Sequence, residues 1–309
     1  IGRCAGSAPV VPSSEWQQRR ASHLAAVRPF TRGYRLRRGR GESHPIYDFL
    51  FTYYAYSSSK LEQWHPGYGV VLEINESAAL AEFRNNPLYD ESPVGITLSK
   101  RAFRARDIKQ LRWVQQLCAT IAGRAPRFSC LGLHEWAMVY RTPEIRHEYP
   151  LRLSPTEIAA FLDKITFCCS HFDAFRFFSP AALKLNVLQP TSESRIEHEQ
   201  GGCIHANMDL YKWAFKLSPL ISSDLLRECF LLAVAAREID MRASPYDFLS
   251  LGFAPIKIET PEGQDEYRQA QRSIAERASK LRQMLLEAAE HLLAEVSRLQ
   301  LFDIPATEH

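Results

Sequence analysis

Between residues 274 and 299 the chain sets Ile274, Ala278, Leu281, Leu285, Ala288, Leu292, Val296 and Leu299 at steps of three and four. That spacing puts one apolar stripe on one face of a helix, and it predicts a single long helix from about Pro261 to Leu301. Several stripe positions are alanine, which favours docking on the chain's own core over coiled-coil pairing. A fold containing such an element is built mostly of helices laid alongside it.

Other segments carry the same signature. Ile108, Leu111, Val114, Leu117 and Ile121 share a face and predict a helix over 107–121, with Gly123 expected as a left-handed cap. Ser154-Pro155-Thr156-Glu157 reads as a cap, a first-turn proline and a capping box, opening a helix to about Lys164. Helices are also expected over 46–61, in LGLHEWAMVY (131–140), after Ser179-Pro180, after the Gly201-Gly202 pair and over 223–241. Ser244-Pro245 is expected to begin a further short turn, closed by Gly252. Val70 to Glu73 and Ile256 to Ile258 are the extended candidates. The fold class is therefore α+β, mainly α-helical.

The 309 residues, 46% hydrophobic and 24% charged, exclude a disordered chain, a collagen-like polymer and a coiled-coil rod. Apolar runs such as 49–56 fall short of the ~20 residues a membrane helix needs, and no secretory signal is visible. The expectation is a cytoplasmic protein without a membrane partner. Seven cysteines (Cys4, Cys118, Cys130, Cys168, Cys169, Cys203, Cys229) form neither a disulfide framework nor a zinc CxxC pair, so reduced thiols are expected.

Charge divides the chain. Residues 1–40 hold nine arginines and one acid, Glu15, a balance of +8 against +3 for the whole chain, which leaves −5 for the remainder. The reading is a basic, partly disordered arm over 1–40, structureless over 1–14, ahead of one compact helical domain over 41–309. The arm is expected to meet nucleic-acid phosphate through Arg35, Arg37, Arg38 and Arg40, or else to be a solvated leader.

The polar residues that point to chemistry lie between Cys130 and Asp247, set among aromatic and apolar neighbours where an unpaired charge is costly. After Gly201-Gly202, a helix places His205, Asp209, Lys212 and Lys216 on one stripe. That arrangement reads as an acid, a base and a lysine beside a turn that approaches phosphate, or as a solvated ion-pair face. Glu197, His198 and Glu199 precede it. In Cys168-Cys169-Ser170-His171-Phe172-Asp173, an extended backbone aims His171 and Asp173 the same way. With His205 they form the donor set of a non-haem iron oxidase or oxygenase, the alternative that brings iron as cofactor. His134-Glu135 lacks the second histidine of a zincin, and phosphate-loop, GxGxxG and GxSxG signatures are absent.

The strings HPIYDFLFTYY (44–54), LEQWHPGYGVVLE (61–73), GLHEWAMVYR (132–141), CSHFDAFRFFSP (169–180), NVLQPT (186–191), EHEQGGCIHANMDLYKWAFKL (197–217), DMRASPYDF (240–248) and IETPEG (258–263) resemble a bacterial family commonly labelled 3-methyladenine DNA glycosylase. The likeness runs from about residue 40 to the C-terminal helix. The chain carries no helix-hairpin-helix loop of the LPGVG type. The resemblance implies hydrolysis of the N-glycosidic bond of an alkylated purine in DNA with a damaged base, without a cofactor. Such a reaction passes through an oxocarbenium-like sugar stabilised by a carboxylate. The chain offers Asp209, Asp173, Glu199 or Asp240 as that carboxylate; Asp209 comes first because it sits with His205 and Lys212 behind Gly201-Gly202, and His171 is a further candidate. Trp213, Trp136, Tyr211 and Tyr246 are then the stacking surfaces, and Gly201-Gly202 the close-approach turn. A third reading is a non-catalytic nucleic-acid-binding protein.

Overall fold

The structure, a computed structural model, describes residues 8–75, 78–143, 148–166 and 168–299. Arg3, Cys4 and Leu301 lie outside them. Among the described residues twelve α-helices run in chain order: α1 (Ser13–Gly39), α2 (Phe49–Thr52), α3 (Ser58–Leu61), α4 (Ala81–Arg84), α5 (Ala105–Ala122), α6 (His134–Val139), α7 (Pro155–Leu162), α8 (Phe172–Phe175), α9 (Arg195–His198), α10 (Ile204–Leu217), α11 (Ser223–Arg242) and α12 (Pro261–Arg298). The strands are β1 (Val10–Val11), β2 (Val71–Leu72), β3 (Tyr89–Ser92) and β4 (Gly95–Leu98). They form one small sheet in the order β1-β2-β4-β3, with β1 parallel to β2 and the other pairs antiparallel. Gly95 sits at φ +153°, where an added Cβ would meet the Leu72 carbonyl oxygen at 2.4 Å, so only glycine allows this close pairing. The chain is mainly α-helical, and among the described residues no helix is long and apolar enough to cross a membrane.

The long helix forms as its stripe predicts. In α12, Ile274, Ala278, Leu285, Leu292 and Val296 are buried against α5 and α11, and Thr260 caps its start. Each leucine so buried is worth about 1.5–3 kcal/mol. Together α5, α10, α11 and α12 pack as the central helical body, with α1 against α11. A second core gathers around α6, α7, α8 and the 243–258 segment, including Trp136, Phe175, Tyr246 and Tyr267. The two cores meet where α6 and α8 face α10 and α11, and that junction holds the site.

Several local expectations are corrected. The helix over 46–61 is broken into α2 and α3, because Ala55 takes φ +54° and the chain turns. Gly123 is not left-handed; at φ −77° it continues the last turn of α5. Residues after Ser179-Pro180 form only a 3₁₀ turn, Leu183–Leu185, and Ile256–Ile258 pairs with no strand among the described residues. The disorder expected within 1–40 does not hold for 13–39, which form α1. Trp16, His23, Leu24 and Val27 bury one face of that helix.

The charge of that segment is matched by the body. Arg19 pairs with Asp224 at 2.6 Å, Arg20 with Glu82 at 2.6 Å, and Arg35 with Glu62 at 2.6 Å. Arg28 also reaches Glu62, and Arg37 pairs with Asp48. The +8 of the segment and the −5 of the rest are thus joined largely within the molecule. Of the four arginines expected at phosphate, Arg35 and Arg37 are engaged in this way. Arg38 and Arg40 are exposed and make no ion pair among the described residues.

Candidate active site

A buried cavity of about 40 Å³ lies at the junction of the two cores. Imidazoles and carboxylates from four helices and the residue before α8 converge on it. His134 and Glu135 stand in the first turn of α6, His171 directly precedes α8, and Asp173 lies within α8. His205 and Asp209 come from α10, and Arg237 and Asp240 from the last turns of α11. The lining rings are Phe49, Tyr53, Tyr54 and Phe177. At ~10–15 Å³ per water the cavity holds about three waters.

One half is centred on Asp209, which is 1% exposed. The Tyr54 hydroxyl donates to its Oδ1 at 2.9 Å, while Lys212 Nζ and His171 Nε2 both reach Oδ2 at 3.3 Å. Burial alone would raise its pKa, but the Lys212 ammonium and the His171 imidazole outweigh it and hold Asp209 well below the usual carboxylate range. Lys212 also donates to Asp173 at 3.0 Å, and Arg195 joins Asp173 at 2.6 Å and Glu199 at 3.2 Å. Burial lowers the His171 pKa, yet the charges of Glu199 and Asp209 raise it above the ordinary histidine value. Burial pushes Glu199 above the ordinary glutamate value.

The other half gathers His134, His205, Glu135 and Asp240. His134 Nε2 lies 3.4 Å from Glu135 Oε1 and 3.5 Å from Asp240 Oδ2, and His205 Nε2 lies 3.6 Å from the same Oδ2. Arg237 Nη1 bridges the two carboxylates at 3.1 and 2.9 Å, with its guanidinium 3.9 Å from the Phe49 ring centroid. Burial and the neighbouring His134 lower the pKa of His205 to about 4. The rings of His171 and His205 stack at 5.6 Å, so the halves are contiguous.

Asp209, Lys212, His171, Asp173, Glu199 and His205 therefore come together in or around one cavity, but not in the arrangement read from the sequence. The His171–Asp173–His205 donor set is corrected. His171 caps a helix that contains Asp173, so the two are not alternate residues of a strand. Their third partner is Asp209, and His205 turns to His134 and Asp240.

The expected stacking surfaces lie elsewhere. Trp136 is fully buried and donates Nε1–H to the Ala243 carbonyl at 2.7 Å. Tyr211 packs among Tyr54, Tyr56 and Phe230, and Tyr246 sits in the second core beside Phe248. Trp213 is covered by Lys212 and Lys216.

The glycine turn is corrected as well. A Cβ on Gly202 would meet the Arg127 carbonyl oxygen at 2.3 Å, so this glycine admits a neighbouring chain. Gly201 lies against Ile121 and Arg282, and its carbonyl accepts from Asn207.

Sequence reading missed Arg195, Arg237 and the aromatic lining, and set His134-Glu135 aside. The Arg195–Glu199 spacing of four was a visible signal; the approach of Arg237 to Glu135, 102 residues away in sequence, was not. Comparison with protein-family models, curated proteins and solved structures finds no match for this chain.

Proposed function

We propose that the chain is an enzyme that hydrolyses the N-glycosidic bond of an alkylated purine in the buried cavity. The observation that carries this reading is Asp209, a carboxylate held ionised at the wall of an aromatic-lined, water-poor space. A preorganised anion there stabilises a developing oxocarbenium far better than it would in water. Tyr53, which stacks one face on Phe49, is the lining ring that offers a face to a cationic base, worth ~1–2 kcal/mol when desolvated. Glu199, 3.7 Å from His171 Nε2, takes the proton of the attacking water, while the His171 imidazolium stays on Asp209.

The cavity of about 40 Å³ is far below the ~300–1,000 Å³ of ligand-sized pockets, so a purine enters only as the rim moves. Phe49, Tyr53, Met138 and Phe177 are among the lining side chains that keep partial exposure, and they form that rim. For a DNA substrate, the exposed Arg32 and Arg38 of α1 and Arg40 just past its end are the phosphate contacts.

The test is chromatographic detection of purine released from methylated duplex DNA and from the free methylated nucleoside. Wild type is expected to release base, and Asp209→Asn to slow release by about 10²–10³-fold. No release from either substrate, or full activity in Asp209→Asn, overturns the proposal. Salt-sensitive DNA binding without release would instead support a binding protein.

A further inference from the structure

The second half of the cavity has a geometry that hydrolysis at Asp209 does not use. We propose that His134, His205 and Asp240, with Glu135 beside them, bind one divalent transition-metal ion. This goes beyond the reading of Asp209 and does not depend on it.

Three observations carry it. First, the donor atoms of His134, His205 and Asp240 all lie within 4.8 Å of one another. His134 Nε2 and His205 Nε2 approach Asp240 Oδ2 to 3.5 and 3.6 Å, too long for good hydrogen bonds. Ligands ~2.0–2.2 Å from one ion sit roughly 3.0–3.5 Å apart in tetrahedral or octahedral geometry, so these spacings are close to those of donors around a shared ion.

Second, Asp240 is fully buried and its Oδ1 has no hydrogen-bond partner. Such a group is costly to leave unsatisfied. Asp240 Oδ2 is already held by Arg237, which orients the carboxylate much as an outer-shell partner does.

Third, the permanent charges do not balance. Five carboxylates surround the cavity (Glu135, Asp173, Glu199, Asp209, Asp240), and three permanent cations are buried or nearly buried within ion-pair distance of them (Arg195, Lys212, Arg237). Arg176, also near Asp173, is exposed, and buried Arg282 faces Asn207 instead. These permanent charges leave two negatives over, which protons on His134 and His171 offset without an ion; a divalent ion at the site displaces the His134 proton.

Two imidazoles and a carboxylate suit a first-row ion such as iron, manganese, cobalt or zinc rather than calcium or magnesium. The thiols of Cys130, Cys169 and Cys203 line the hollow behind His134 and His205. Cys130 Sγ accepts from Gln271 and Cys169 Sγ donates to the His171 carbonyl, so they do not compete as ligands.

The experiment is titration of the chelator-treated full chain with Co(II) and with Zn(II), followed by calorimetry and, for Co(II), visible absorption. One ion per chain is expected. Affinity should weaken by about 100-fold or more in His205→Ala and in the near-isosteric Asp240→Asn, and should be kept within a few-fold in His171→Gln. Circular dichroism checks that each variant folds; Asp240→Asn keeps the test decisive if His205→Ala does not. The inference is overturned by absence of saturable binding to wild type, or by wild-type affinity in both His205→Ala and Asp240→Asn. Binding lost in His171→Gln but kept in His205→Ala overturns it too. Because binding is read without substrate, failure of the proposed hydrolysis and failure of the metal site are separate results.

Discussion

Arg237→Met isolates what the buried charges cost the fold. The Arg237 side chain is 2% exposed, and one of its nitrogens serves both Glu135 at 3.1 Å and Asp240 at 2.9 Å. Methionine keeps much of the length and the contact with Phe49 but removes the charge, leaving two carboxylates buried without their cation. Stranding one partner of a buried ion pair typically costs ~3–5 kcal/mol, a large share of the ~5–15 kcal/mol that holds a domain together. Urea unfolding at neutral pH, followed by tryptophan fluorescence, is expected to show a loss of that size. Adding Asp240→Asn removes one stranded charge, so the double variant should be less destabilised than the sum of the singles by about 1 kcal/mol or more. A loss below about 1 kcal/mol, the size of a surface pair, would show that water reaches these carboxylates and that the cavity is not sealed.

Three further outcomes follow from particular contacts. His65, buried against Tyr89, has its pKa lowered from 6.5 to about 4, burial being the main cause and His23 the second. The unfolded chain therefore takes up that proton first. Stability is full above pH 6.5 and declines as pH falls toward 4, by about 3 kcal/mol in all. His65→Gln should flatten that part of the stability–pH curve, and an unchanged slope would refute the assignment. Gly202→Ala should cost roughly 1–3 kcal/mol, because its Cβ would meet a backbone carbonyl 2.3 Å away; a neutral effect in thermal denaturation would contradict the packing described. Trp136→Phe should lose ~1–2 kcal/mol with the bond to Ala243 while leaving base release unchanged, since this ring does not line the cavity; slowed release would return it to the site.

What was legible in the sequence was what depends on near neighbours. The stripe of α12 and the Ser154–Glu157 capping box are set by spacings of three and four, and both form. The polar cluster of the middle third was visible as charges among apolar residues, because such residues are seldom retained there without partners. Its arrangement was not visible. Periodicity does not show that His171 ends an extended stretch by capping a helix, nor that His205 turns away from it toward α11. The arginines of α1 read as a footprint for an external anion because their acids, such as Asp224 for Arg19, lie up to 205 residues along the chain. The aromatic rim was hidden for a related reason: Phe49, Tyr53 and Tyr54 look like a continuous helix face, but Ala55 breaks the backbone, Tyr54 reaches Asp209 and Phe49 lies under Arg237.

The central claim is that Asp209 and its neighbours form a reaction centre rather than a structural ion-pair network. The most direct measurement is the first-order rate at which purified wild-type protein frees methylated purine from alkylated DNA or nucleoside, set against spontaneous loss in the same buffer. The account predicts a rate well above the spontaneous one that rises in proportion to protein concentration. A rate indistinguishable from spontaneous loss on both substrates would contradict it.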